Sequence, residues 1–114
     1  MKLVWIIFLT ACSSGTSWPT TGGSPERGRA AIEAHGCTAC HDIPDVDGPK
    51  GKVGPGLEGF AQRSFIAGEV PNTPANLTRW IQDPHSVRPG TAMPNTNVNQ
   101  QEARDVAAYL YTLD

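Results

Sequence analysis

The sequence is short of apolar bulk, of aromatic side chains and of long runs of charge. Of its 114 residues, 39% are hydrophobic and 7% aromatic, which is lean for a single small core. Nine basic and eleven acidic residues are scattered along the chain, which argues against nucleic acid or an anionic membrane surface as the main partner. A chain of this composition would gain from a large apolar group that completes its interior.

The apolar run at the N-terminus is too short to cross a membrane. Lys2 is followed by LVWIIFL, residues 3–9, whereas a spanning helix needs ~20 apolar residues. A positive start and a short apolar run followed by small residues are typical of an export signal, which we place at residues 1–11. A buried N-terminal strand is the alternative, but the composition turns abruptly to Ser, Thr and Gly after this run.

Residues 9–12, LTAC, resemble the lipobox at which bacterial lipoproteins are cleaved and lipidated. The resemblance implies that Cys12 becomes the first mature residue and carries several acyl chains, which together make a stable membrane anchor. Residues 12–23 would then form a flexible tether that reaches ~40 Å when fully extended. In the alternative interpretation the signal peptide is an ordinary one, and Cys12 is an incidental and reactive thiol.

Three helices are predicted in the folded part of the chain. Each begins after a residue whose side chain can accept a hydrogen bond from the first turn, namely Ser24, Thr73 and Asn99. Proline at the first helical position supports the first two helices, and Gly36 and Pro84 are placed to end them. In the third helix, apolar residues recur at helical spacing and form one apolar face.

Long connections separate these helices within the predicted domain, residues 24–114. Residues 42–73 and 84–97 are rich in glycine and proline, contain no β-hairpin signal, and are too long for a bare three-helix bundle. The pattern predicts a mostly α fold whose long loops need something to wrap around.

The C-x-x-C-H unit formed by Cys37, Cys40 and His41 is the main chemical signal in the chain. Four interpretations compete: a redox disulfide, half of a zinc site, a structural disulfide and covalent haem attachment. A redox pair expects alternating strands and helices, and a zinc site expects about four ligands, while a structural disulfide leaves His41 unexplained. Haem attachment uses all three residues, because two thiols form thioethers with the vinyl groups and the imidazole binds the iron.

A second iron ligand is predicted on the loop RPGTAMPN, residues 88–95. The chain has two methionines and Met1 leaves with the signal, so Met93 is the thioether available to the iron. Met93 as a core filler is a poor alternative because its neighbours are small or polar, whereas His85 is a rival sixth ligand. A thioether ligand raises the reduction potential relative to an imidazole.

With these motifs, residues 25–113 resemble class I cytochrome c. GRAAIEAHGCTACH is similar to the family's first helix and haem motif, GPGLEGFAQR to a loop segment, RPGTAMP to the methionine loop and VAAYL to the last helix. The resemblance implies three main helices and long loops wrapped around one covalently bound haem c. It also implies that His41 and Met93 hold the iron.

The resemblance assigns further roles around the haem. The carbonyl of Pro55 would accept the Nδ1–H of His41 and fix the ring. Leu57 would pack on the haem face, and Arg63 would lie within reach of a propionate. Gly28 would let the last helix approach the first one closely.

A longer segment, residues 57–95, resembles the cytochrome c domain fused to subunit II of some bacterial haem–copper oxidases, most clearly in PNTPANLTRWIQDP. The resemblance implies that Trp80 lies near the haem with its indole N–H in reach of a propionate; a plain core aromatic is the alternative. We expect a lipid on Cys12 to replace the copper-binding domain and membrane helices of that family, which this sequence does not contain.

We therefore expect a one-electron carrier at a bacterial membrane rather than an enzyme, because both axial positions of the iron are filled and no small-molecule substrate can bind there. The resemblance implies a terminal haem–copper oxidase as the electron acceptor. We expect docking at the exposed edge of the haem, rimmed by Thr38–Ala39 and Thr91–Asn95. Two alternatives remain: an electron-transfer subunit of a periplasmic dehydrogenase complex, and a haem sensor or peroxidase with a labile Met93. The lipid would hold the domain on the periplasmic or outer side of the membrane.

Overall fold

The computed structural model describes residues 1–7, 9 and 17–114. Cys12, the predicted site of lipid attachment, and the last residues of the predicted signal lie outside the described residues. Within the described part of the chain, no helix combines the length and the apolar character that crossing a bilayer requires. Regular secondary structure begins at Pro25 and is mostly helical, as the sequence predicts.

Four α-helices and two short strands make up the regular structure of the described residues. The helices are α1 (Pro25–Ala34), α2 (Pro74–Gln82), α3 (Pro84–Val87) and α4 (Gln100–Leu110). The strands β1 (Phe65–Ile66) and β2 (Val70–Pro71) are antiparallel, with Phe65 opposite Pro71 and Ile66 opposite Val70. Single 3-10 turns lie at Cys37–Ala39 and Phe60–Gln62.

The three predicted helices are α1, α2 and α4, and each begins where its cap predicts. The side chains of Ser24 and Thr73 each accept a hydrogen bond from the backbone N–H three residues later, at 3.4 and 3.2 Å. Asn99 and Glu102 form a reciprocal capping box, with bonds of 2.8 and 3.3 Å. These caps involve neighbours in sequence only, so the sequence is sufficient to place them.

Pro84 ends α2 as predicted, but it also begins α3, a helical turn inside a segment that we read as a connection. A proline fits the first helical position because its φ is already close to helical and no N–H is needed there. Pro84 is fully buried and holds the start of the turn against the core, while His85 and Ser86 are exposed.

The expectation of no β-hairpin is wrong, since β1 and β2 form a small one. Its turn has Ala67 and Gly68 at φ values of 53° and 68°, and the N–H of Glu69 donates to the carbonyl of Ile66 at 3.0 Å. Two successive residues at positive φ give the turn that suits two twisted strands. Alanine rarely adopts this conformation, so Ala-Gly does not read as a hairpin signal in the way that Asn-Gly does.

Helices α1 and α4 approach each other closely at Gly28, as the resemblance implies. Gly28 is buried, and a Cβ atom there would overlap the carbonyl of Asp105 and touch Cβ of Tyr109. The core extends from this contact to α2 and the C-terminal residues. Its largest buried side chains include Ile32, Phe60, Leu77, Ile81, Val106, Leu110, Tyr111 and Leu113.

The contacts of the domain begin three residues before the boundary predicted from the sequence. Thr21 Oγ1 donates to the carbonyl of Arg104 at 2.9 Å, and the backbone N–H of Ser24 donates to Oδ1 of Asp105 at 3.0 Å. The last three residues of the predicted tether, 12–23, therefore lie against α4. Contacts with α4 thus begin at Thr21, inside the predicted tether.

Asp105 is the buried polar centre of this contact, with 4% of its surface exposed. Burial alone would raise the pKa of its carboxyl. Hydrogen bonds from the Ser24 N–H and from the side chains of Arg27 and Gln101 outweigh burial, and the pKa lies below its usual value. The guanidinium of Arg27 donates to both carboxylate oxygens at 3.3 Å, and Gln101 donates at 3.1 Å.

Asp105→Asn is expected to destabilise the fold by about 1–3 kcal/mol at neutral pH, because a neutral amide cannot accept all of these bonds. A carboxyl with a lowered pKa in the folded state stabilises that state above its unfolded pKa of ~3.9, and this contribution is lost as the pH falls through the folded value. The difference between wild type and variant should therefore shrink in acid. Chemical denaturation followed by circular dichroism at several pH values measures it.

The exposed Asp47 supplies a matched control. Asp47→Asn should change the free energy of unfolding by less than about 0.5 kcal/mol. An Asp105→Asn protein as stable as wild type at neutral pH, or a deficit that stays constant into acid, would contradict the role given to Asp105.

Candidate cofactor site

The two thiols of the C-x-x-C-H unit follow directly from the end of α1. Gly36, at a φ of 68°, turns the chain out of the helix and into the 3-10 turn Cys37–Ala39. Cys37 and Cys40 are both half-buried and free in the structure. Burial raises the pKa of the Cys37 thiol, so at neutral pH it is a protonated thiol rather than a reactive thiolate.

The imidazole of His41 is oriented by a backbone carbonyl. Its Nδ1 lies 2.8 Å from the oxygen of Pro55, which is the contact that the resemblance implies. Because a carbonyl oxygen can only accept, Nδ1 carries the proton and Nε2 keeps its lone pair. An imidazole in this tautomer can bind a metal through Nε2.

Gly54 makes room for this ring, a role that our sequence reasoning missed. A Cβ atom at Gly54 would lie less than 3.0 Å from three atoms of the His41 ring. The N–H of Gly54 donates to the carbonyl of Cys40, and that of Leu57 to the carbonyl of Asp42, each at 2.8 Å. The loop is thus hydrogen-bonded to the two residues that flank His41 in sequence. The Gly-Pro pair in GPGLEGFAQR was the available signal.

These groups face a cleft with a volume of about 890 Å³, within the range of ~300–1,000 Å³ that is usual for bound cofactors. All eight residues predicted to contact the cofactor line it. They are Cys37, Cys40, His41, Pro55, Leu57, Arg63, Trp80 and Met93. His85, the rival sixth ligand, is exposed on α3 and is not among the lining residues.

Met93 reaches the cleft from the loop that follows α3. Its N–H donates to Oγ1 of Thr91 at 3.3 Å, and the N–H of Thr91 donates to the carbonyl of Arg88 at 3.1 Å. After Met93, Thr96 connects the loop to α2, because its Oγ1 donates to the carbonyl of Ile81 at 2.9 Å. The loop that carries the thioether is therefore held at both ends.

Arg63 and Trp80 also line the cleft. Arg63 lies with its guanidinium 5.6 Å from the centre of the Phe60 ring, and it donates a hydrogen bond to the carbonyl of Gly56. Trp80 is half-buried. Leu57, 9% exposed, adds an apolar surface. A flat apolar group with anionic substituents fits such a wall.

The predicted docking rim needs a correction at Thr38. Thr38 is 4% exposed. Gly48 lies against its side chain, and its carbonyl accepts the N–H of Gly51 at 2.9 Å. Two apolar side chains that we did not predict lie at the mouth of the cleft. Val53 is 77% exposed and Phe65 is 60% exposed, and both offer contact surface to a bound group or to a partner.

The described residues fit a covalently attached haem better than the three other interpretations of the C-x-x-C-H unit. Two free thiols, a metal-competent imidazole and a thioether share one cleft with cationic and apolar walls, which is the donor set of a His/Met haem site. Among the described residues, no group of three or more His, Cys, Asp and Glu side chains is arranged to hold a metal ion, and a zinc site would need such a group.

Comparisons with known proteins agree with this geometry. The sequence model of the family described as Cytochrome c matches residues 25–114. Cytochrome c oxidase subunit 2 of Alkalihalophilus pseudofirmus is 34% identical over 88 residues, which cover 76% of this chain and 25% of that protein. The subunit of the same name from Bacillus sp. strain PS3 is 31% identical over 87 residues, covering 73% and 24%. The chain thus spans about a quarter of the length of these relatives.

A solved structure matches as well. Cytochrome c2 from Rhodobacter sphaeroides superimposes with a TM-score of 0.61 over 80% of this chain and 96% of that chain, at 23% identity. Sequence identity at this level supports a conclusion about the fold only. Together with the family match, it confirms the predicted fold class.

Proposed function

The chain belongs to the cytochrome c family, and on that premise we propose that it is a membrane-anchored carrier that delivers single electrons to a terminal haem–copper oxidase. Membership implies a covalently bound haem c, and the fold is that of an electron-transfer protein rather than an enzyme. The observation that carries the proposal is the shared cleft, in which the thiols and His41 face the same space as Met93.

Four side chains would hold the haem. Cys37 and Cys40 would form the thioethers, and Nε2 of His41 and the sulfur of Met93 would bind the iron. When bound, the haem supplies reversible one-electron chemistry at its iron. The protein's part is to keep both ligands in place in both oxidation states, through the Pro55 carbonyl on one side and the bonded loop around Thr91 on the other.

The comparisons support an oxidase as the electron acceptor. Both relatives named above are subunit 2 of a cytochrome c oxidase, and the likeness covers about three quarters of this chain. The apolar rim formed by Val53 and Phe65 supports docking at the mouth of the cleft, since an exposed apolar patch is typical of an interaction site. The mouth is therefore the proposed point of electron transfer.

We further propose that lipid on Cys12 anchors the exported protein, with the domain on the periplasmic or outer side of a bacterial membrane. The lipobox-like residues 9–12 support this, as does a domain whose contacts begin at Thr21. Intact-mass measurement of protein extracted from membranes should give a chain that begins at Cys12 with several acyl groups. An unmodified N-terminus downstream of Cys12 would contradict the anchor.

Ascorbate-reduced holoprotein should be reoxidised rapidly by membranes that contain a haem–copper oxidase. The reaction is followed by the loss of the ferrous absorbance bands. Cyanide, which blocks the oxidase, and membranes from a strain without it should each abolish the reoxidation. If the rate were the same with and without the oxidase, the proposed acceptor would be wrong.

A further inference from the structure

The lining of the cleft is cationic. It includes two guanidinium groups, those of Arg63 and Arg88, and neither an aspartate nor a glutamate. A haem carries two carboxylates on its propionate arms, so a single arginine leaves one of them without a matching cation. The family resemblance implies a role for Arg63 and none for Arg88.

Arg88 is held against the wall of the cleft that the hairpin forms. Its Nη1 donates to the carbonyl of Ala67 at 3.3 Å. Its Nε lies 3.9 Å from Oε1 of Glu69, and about half of each side chain is exposed. An ion pair this long and this exposed stabilises little, so it would yield readily to a better placed carboxylate.

Arg88 is also the start of the loop that presents Met93. Its N–H donates to the carbonyl of Pro84 at 2.9 Å and its carbonyl accepts from Thr91 at 3.1 Å, while Oγ1 of Thr91 accepts from Met93. A contact made by this guanidinium therefore acts on the segment that holds the thioether.

We propose that Arg88 is a second propionate-binding residue of the cleft, and that a haem carboxylate replaces Glu69 as its partner. The guanidinium is suited to this role because it presents paired donors to a carboxylate, in a geometry that an ammonium cannot reproduce. The inference rests on the proposed function, since it requires haem to occupy the cleft. Its consequence is a direct connection between the propionate edge, the hairpin and the methionine loop.

The test uses holoprotein with ¹³C in the propionate carboxyl groups, as wild type, Arg88→Gln, Arg88→Lys and Arg79→Gln. Arg79 is an exposed arginine on α2 that does not line the cleft, so its variant controls for the loss of one charge. Arg88→Gln should shift the labelled carboxylate band in the infrared difference spectrum between oxidation states. It should also lower the reduction potential more than Arg79→Gln does, because a nearby cation favours the reduced iron.

Arg88→Lys should keep most of the potential and still shift the band, since it retains the charge but not the paired donors. A potential change without a band shift in Arg88→Gln would overturn the proposal, because the effect would then be long-range charge alone. Bands and potentials equal to those of Arg79→Gln would overturn it too. Wild-type protein that carries no covalent haem would refute the proposed function itself, whereas coloured variants with unchanged bands refute only the role of Arg88.

Discussion

Replacing Cys37 and Cys40 together by serine is expected to give a protein without covalently bound haem. A hydroxyl does not form the thioether, and the cleft of about 890 Å³ would lose its permanent occupant. The fold should be strongly destabilised, because a chain with 39% hydrophobic residues has little else with which to fill that space. Absorbance after denaturation and extraction into acidified organic solvent measures the attached haem, and thermal unfolding by circular dichroism measures the stability.

The third cysteine supplies the matched control. Cys12→Ser should keep the full haem absorbance while the protein is released from membranes, because Cys12 lies outside the domain, whose contacts begin at Thr21. Haem that stays with the denatured double variant through the extraction would show that the thiols are not the attachment points. Alkylation of both thiols in the coloured wild type would show the same.

Met93→Leu is expected to remove the proposed second iron ligand with little change in side-chain size. The weak far-red absorbance band of a Met–iron bond should disappear. The reduction potential should fall by on the order of 0.1 V, a part of the ~0.8 V range over which axial ligands set it, because a thioether favours ferrous iron. The ferrous variant should also bind carbon monoxide, which a filled axial position excludes in the wild type.

Val87→Leu controls for an apolar change nearby, since Val87 lies on α3 and does not line the cleft. It should leave the band and the potential unchanged. Rapid binding of carbon monoxide to the wild type would contradict a firm Met93 bond and favour the sensor or peroxidase alternative. An unchanged potential in Met93→Leu would return His85 to consideration, although His85 is exposed and away from the cleft in this structure.

The sequence placed those elements that depend on near neighbours. The caps at Ser24, Thr73 and Asn99 involve contacts three residues away, and contacts this local can be predicted from the sequence. The hairpin could not be predicted because its turn puts Ala67 at a positive φ, a conformation that alanine rarely adopts. The docking of Thr21 on α4 was missed because it joins residues 83 positions apart.

In the candidate site, too, the sequence identifies some residues, whereas the roles of others depend on the fold. Its chemically distinctive groups, the C-x-x-C-H unit and Met93, could be identified from residue type and spacing. Gly54 and Arg88 could not, because their roles follow from where the fold carries them. Gly54 is needed because a side chain there would overlap the His41 ring. The proposed role of Arg88 depends on the hairpin, which the sequence does not predict and which places the carbonyl of Ala67 beside the guanidinium.

The docking of the chain at Thr21 also limits how far this carrier can operate from its anchor. If Cys12 holds the lipid, only residues 13–20 remain between the bilayer and the domain, and they span at most ~28 Å even when stretched, instead of the ~40 Å available to the whole segment. The tether then adds at most this length to the reach that the folded domain has through its own size.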